Sequence, residues 1–170
     1  MTAVFSPCGR YRYTLSRGPF TGLLPTESAG RTVLFLMLNP STADAREDDP
    51  TIRRCISFAK LWRFEHLTVG NLFAWRATDP AELRTCPAPV GAANSWHLEE
   101  LMTEAHLVVA AWGAASKVPP TLIGPRVRAV RELAEKAGKP LHCIRRTKGG
   151  QPEHPLYLPG DLTPVPWSPP

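Results

Sequence analysis

Short, uniformly apolar runs alternate along this chain with stretches of helical periodicity. Val33-Leu34-Phe35-Leu36-Met37-Leu38 places six apolar residues in a row, the pattern of a strand buried on both faces. Leu67 to Phe73 predicts a second strand, Leu107 to Gly113 a third and Leu141 to Ile144 a short fourth. Asp49-Pro50 offers an N-cap followed by proline at the first helical position. Ile52, Cys55, Ile56, Ala59 and Trp62 then recur at helical spacing, so a helix is expected to about Arg63. Ala81 to Arg84 suits one helical turn, and Asn94 or Ser95 can cap a helix running to about Glu104. Arg126 to Ala137 predicts an amphipathic helix, with Val127, Val130, Leu133 and Ala134 on one face and Gly138 past its end.

The ends of the chain follow other patterns. Residues 1–31 read as a lead-in. Within it Tyr11-Arg12-Tyr13-Thr14-Leu15 alternates as an edge strand would, before Gly18-Pro19 and Gly22 break the pattern. Residues 146–170 form a proline-rich loop and tail, expected to run extended over the surface without a further element. No internal repeat is present. The expectation is one α/β domain over residues 1–170, a three-layer α/β/α arrangement around a four-stranded, mainly parallel sheet. In such sheets ligands bind beyond the carboxyl ends of the strands, so polar residues there are the first candidates for chemistry.

Composition narrows the picture. The chain is 43% hydrophobic, a globular value, and holds no apolar stretch of membrane-span length. Met1 to Arg10 lacks the apolar core and basic flank of a signal peptide, so a cytoplasmic protein with no membrane partner is expected. Cys8, Cys55, Cys86 and Cys143 are scattered, with no Cys-x-x-Cys pair. They are expected as small buried hydrophobes, and no metal or cofactor is implied. The net charge of +5, carried largely by arginine, permits a nucleic-acid or nucleotide partner without requiring one.

Three clusters carry candidate chemistry. In Asn39-Pro40-Ser41-Thr42-Ala43-Asp44, Asn39 and Ser41 can present an amide and a hydroxyl to a ligand or an attacking water. Asp44, Asp48 and Asp49 are candidate general bases, although Asp49 also suits the capping role, and the whole cluster also suits a helix-leading turn. In Gly70-Asn71-Leu72-Phe73-Ala74-Trp75-Arg76, Asn71 is a polar residue within an apolar strand and can read the edge of a base. Phe73 and Trp75 can stack on a planar ligand or fill the core, and Arg76 can pair with phosphate. In the loop Lys148 to Leu158, His154 is held beside proline and can hydrogen-bond an anionic leaving group or simply be solvated. Lys148 and the adjacent glycine backbone can approach phosphate, Tyr157 is a further contact, and Gly113 closes the third strand where a ligand or backbone can come close.

Tyr11-Arg12-Tyr13, LNPSTAD, DDPTIRR, GNLFAWRATDP, AAWG and GQPEHPLYL together resemble the domain family of unknown function numbered 1643, over nearly the whole chain. More distantly, the order of motifs is similar to the uracil-DNA glycosylase superfamily. Asn39-Pro40-Ser41 resembles its first motif, Asn71-Leu72-Phe73 its middle one and His154-Pro155-Leu156 its last. Ser41 stands where that superfamily has glycine, and Leu156 where serine usually follows. The resemblance implies a glycosylase-like fold and hydrolysis of the N-glycosidic bond of a modified or damaged base in DNA. Asn39 would position water with Asp44 as base, and His154 would stabilise the departing base. Asn71 would read its edge, an aromatic would stack on it, and Arg76 or Lys148 would grip flanking phosphates. A nucleotide or nucleoside hydrolase or transferase, and a non-catalytic nucleic-acid-binding module, are the alternative readings.

Overall fold

A computed structural model describes residues 1–20 and 30–169. The anticipated break at Gly22 and the terminal Pro170 lie outside the described residues. The strands are β1 (Thr2–Phe5), β2 (Arg12–Arg17), β3 (Thr32–Met37), β4 (His66–Asn71), β5 (Leu107–Ala110), β6 (Leu141–Cys143) and β7 (Val165–Pro166). The α-helices are α1 (Pro50–Leu61), α2 (Asn94–Glu104) and α3 (Pro120–Lys136). The strands join in one sheet of order β1-β2-β4-β3-β5-β6-β7.

The sheet therefore has seven strands where four were expected, and it is mixed. β4, β3, β5 and β6 run parallel to one another. β1, β2 and β7 add antiparallel margins. β1 was not anticipated because it sits in the lead-in, and β7 because proline masks it. Tyr11 to Leu15 does mark a strand, but β2 lies inside the sheet and β1 takes the edge. In the tail, Val165 pairs with Cys143 and Trp167 donates its backbone N–H to Leu141 O at 2.8 Å. A proline-rich segment at a sheet margin can do this because only alternate N–H groups face the neighbouring strand.

Both faces of the central strands are covered, as a continuous apolar run requires. Val33, Phe35 and Met37 of β3 pack with Ile52, Cys55 and Phe58 of α1. Leu34 and Leu36 pack on the other side with Leu98 and Met102 of α2 and Val130 of α3. Each such side chain contributes about 1.5–3 kcal/mol on burial. Asp49 caps α1 by accepting the Ile52 N–H at 2.8 Å, with Pro50 at the first position. α3 begins before Arg126, at Pro120, and contains Pro125 inside it, where the missing N–H forgoes one bond of the helical ladder. Gly138 takes φ +65 just past its end. Among the cysteines, Cys55 and Cys143 are buried, whereas Cys8 is exposed and Cys86 partly so. No described helix is long and apolar enough to cross a membrane.

Candidate functional site

The loops leaving the carboxyl ends of the four parallel strands enclose a cavity of about 490 Å³, a size typical of small-molecule sites. Asn39 and Ser41 enter from the β3–α1 loop, Asn71 from the end of β4, Trp112 and Lys117 from the β5–α3 loop, and His154 and Tyr157 from the segment after β6. Because the chain leaves β3 for β4 on one side and returns to β5 on the other, the strand order reverses here. That reversal opens a crevice at the sheet end.

Asn71 is the most unusual member. It is 1% exposed, and among the described residues neither its Nδ2 nor its Oδ1 has a hydrogen-bond partner. Its backbone, in contrast, is tightly held. Buried Asn94 donates from Nδ2 to Asn71 O at 2.9 Å and to Leu72 O at 3.2 Å. Arg126 donates from Nε to Leu72 O at 2.5 Å. Asn94, anticipated as a possible cap of α2, thus reaches back to β4 and makes no cap, since Ala93 occupies that position.

His154 is partly buried, and its Nδ1 accepts the Leu156 N–H at 3.4 Å across the one-turn helix Pro155–Tyr157. That bond leaves the ring proton on Nε2, a donor available to a ligand. Burial lowers the His154 pKa below the usual histidine value, against a smaller opposing pull from Asp49. The ring is therefore neutral at pH 7. Gly113 supports it from behind. At φ +76 it takes a backbone conformation that side chains disfavour, and a Cβ there would lie 3.4 Å from His154 Cβ.

Asn39 ties two loops together. Its Nδ2 donates to Ala77 O at 2.7 Å and to Pro40 O at 3.1 Å, while Ala77 N–H donates to Pro40 O at 2.9 Å. Its Oδ1 is the atom it can offer to a ligand. Across the rim, Lys117 Nζ meets Asp79 Oδ1 at 2.9 Å.

Several expected site residues lie elsewhere. Asp44 does not line the cavity. Its Oδ1 accepts the Arg46 and Glu47 N–H groups at 2.7 and 2.9 Å, which also lowers its pKa. It closes a turn. Phe73 is 0% exposed within the α2–α3 side of the core. Trp75 packs edge-on against Tyr11 at 5.3 Å, under Arg10. Arg76 folds over the Phe5 ring at 5.0 Å and donates to Gly9 O at 3.3 Å. Lys148 is exposed at the tip of a narrow turn closed by Thr147 N–H to Gln151 O, 2.8 Å. Gly113 contacts the site only through His154. Thus Asn39, Ser41, Asn71, His154 and Tyr157 converge on the cavity, while Asp44, Phe73, Trp75, Arg76 and Lys148 do not.

Of the acidic candidates Asp44, Asp48 and Asp49, Asp49 is the one that reaches the cavity, and Arg12 joins it without having been a candidate. Asp49 lines the cavity and caps α1 with Oδ1. Arg12 lines it from β2. The capping motif already pointed to the position of Asp49, whereas nothing in the local pattern around Arg12 pointed to a cavity.

The fold and site define a mixed α/β protein with a polar, partly enclosed cavity at the carboxyl ends of its parallel strands. The chain belongs to the family described as protein of unknown function (DUF1643), whose model matches residues 12–156. No curated protein and no solved structure matches it.

Proposed function

We propose that the protein hydrolyses the N-glycosidic bond of a modified or damaged base drawn out of DNA into this cavity, in the manner of the uracil-DNA glycosylase superfamily. The observation that carries the reading is Asn71: a buried amide, both of whose polar atoms lack partners among the described residues, at the cavity wall. Buried polar groups without partners are rare, and one at a cavity is best explained by a ligand that satisfies it. A planar base edge bearing an acceptor beside a donor pairs with both atoms of a carboxamide at once.

The other residues supply the chemistry. Water adds to the anomeric carbon of the sugar as the C–N bond breaks, and the bonding electron pair leaves with the base. Asn39 Oδ1 orients the water, and the Asp49 carboxylate accepts its proton, the role first given to Asp44. The neutral His154 ring donates from Nε2 to the base as negative charge develops on it. Tyr157, 79% exposed at the cavity mouth, supplies a face for a neighbouring base.

The test uses single- and double-stranded oligonucleotides carrying uracil, hypoxanthine or 5-hydroxymethyluracil, read by strand scission at abasic sites. Base release by the wild type, lost in Asn71→Ala and His154→Ala, is the expected result. No release from any of these substrates by folded protein would refute the proposal.

A further inference from the structure

β2 carries two buried arginines whose surroundings differ sharply. Arg17 is satisfied on every side. Its Nε donates to Asp48 Oδ1 at 2.7 Å, Nη1 to Ser16 O at 2.9 Å and Nη2 to Asp44 O at 2.5 Å. Arg12, 2% exposed, makes one side-chain hydrogen bond among the described residues, from Nη1 to Ala43 O at 2.6 Å, and its Nε has no partner there. Among the described residues it forms no ion pair. Arg126, the other buried arginine, is also unpaired, but two of its nitrogens are bonded and it does not line this cavity.

A guanidinium removed from water without a counter-charge is one of the least favourable groups a fold can hold. Burial, joined by repulsion from Arg76 and Arg17, outweighs the attraction of Asp49 and Asp44 and lowers the Arg12 pKa to about 10. The charge is nonetheless retained at neutral pH.

The backbone aims this residue deliberately. Regular alternation would place Arg12 opposite in sense to Leu15 and Arg17. The β1–β2 register slips between Val4 and Phe5, whose partners are Thr14 and Arg12, so Tyr13 is an extra residue. Such a bulge re-aims a side chain. Tyr13 stacks on His97 of α2, while Arg12 turns to the α1 face and the cavity.

We propose that Arg12 is an oxyanion subsite of the cavity, taking a phosphate or carboxylate group carried by the same ligand whose planar edge meets Asn71. The inference rests on the cavity being the ligand site assigned above, but not on bond cleavage. Ser41 and Thr51 line the same cavity and carry hydroxyls that can donate to an oxyanion. The oxyanion has two chemical sources, the 5′-phosphate of a nucleotide or an acidic substituent on the base itself.

Paired titrations separate them by calorimetry: uridine 5′-monophosphate against uridine, and orotate against uracil. Inorganic phosphate, followed by thermal shift, tests the oxyanion alone. One anionic member should bind at least about tenfold more tightly than its neutral partner. That ratio should fall to near unity in Arg12→Gln, as should the thermal shift by phosphate. Arg12→Lys keeps a charge and a donor to Ala43 O, and should retain an intermediate ratio even if the glutamine variant folds poorly. Preference for the phosphate pair identifies a nucleotide, and preference for the orotate pair an acidic base. Asn71→Ala should weaken both members of a pair and leave their ratio intact, which separates the oxyanion subsite from base recognition. Equal affinity within both pairs, a ratio that survives Arg12→Gln, or no response to any anionic probe at tens of millimolar would overturn the proposal.

Discussion

Replacing Asn71 with leucine should make the protein more stable and abolish its ligand binding. The Asn71 residue is only 1% exposed at the cavity wall, and among the described residues its Nδ2 and Oδ1 have no partner. On the mutational scale each unmet buried group costs about 1–3 kcal/mol. Leucine has the same number of side-chain heavy atoms, branched at the same Cγ, and removes both polar groups. Its larger methyls and tetrahedral Cγ cost about 2 kcal/mol in overpacking, so a net gain of about 2 kcal/mol is expected. For a chain of this size that raises Tm by about 4–8 °C. The measurements are urea and thermal unfolding, comparing midpoints at constant m-value. Thr68→Val is the control. It removes another unpartnered buried oxygen, on the same strand but outside the cavity lining, and should stabilise without altering binding. A lower midpoint for Asn71→Leu with unchanged m would mean that the amide serves the fold, and the reasoning from an idle pair of polar atoms would fail.

Asp49→Ala should lose the α1 cap at a cost of about 1 kcal/mol together with base release, whereas Asp44→Ala should retain release and disturb only its own turn; parallel unfolding curves and activity assays decide. Asp48→Ala strips the buried Arg17 of its carboxylate and should cost about 3 kcal/mol in urea unfolding, the lower end for a broken buried pair because Asp48 is partly exposed. His154 has a depressed pKa in the folded state, so between that value and its ordinary one the unfolded chain binds more protons. Its contribution to stability is present above about pH 6.5 and is lost as pH falls through the folded-state pKa. His154→Gln should flatten that part of the stability–pH profile, and imidazole NMR titration should give a pKa below the ordinary histidine value.

The central elements were legible because their signals are local. Six consecutive apolar residues mark β3, and Asp49-Pro50 with its helical repeat marks α1. Asn39, Asn71 and His154 were legible for a related reason. Asn39 and Asn71 stand beside or in a predicted parallel strand and His154 in the loop that follows the last one, and sheet topology sends the first two toward one end. Asp44 was misplaced because a carboxylate in an Asn-Pro-Ser-Thr-Ala-Asp loop looks the same whether it faces a ligand or two backbone N–H groups. Trp75 and Arg76 were misplaced because the chain turns after β4, laying them against Tyr11, Phe5 and Gly9.

The sequence by itself determined which segments become the parallel core and which faces they bury, since periodicity and capping act over a few residues. Only the tertiary structure decided that β2 lies inside the sheet, that the proline-rich tail adds a strand, and that Asp49 rather than Asp44 faces the cavity. It also decided the aim of Arg12, through a one-residue slip against β1 that reverses which face of the sheet the side chain joins. Register between distant strands depends on pairing energies summed over the whole sheet, and no local pattern in the chain encodes it.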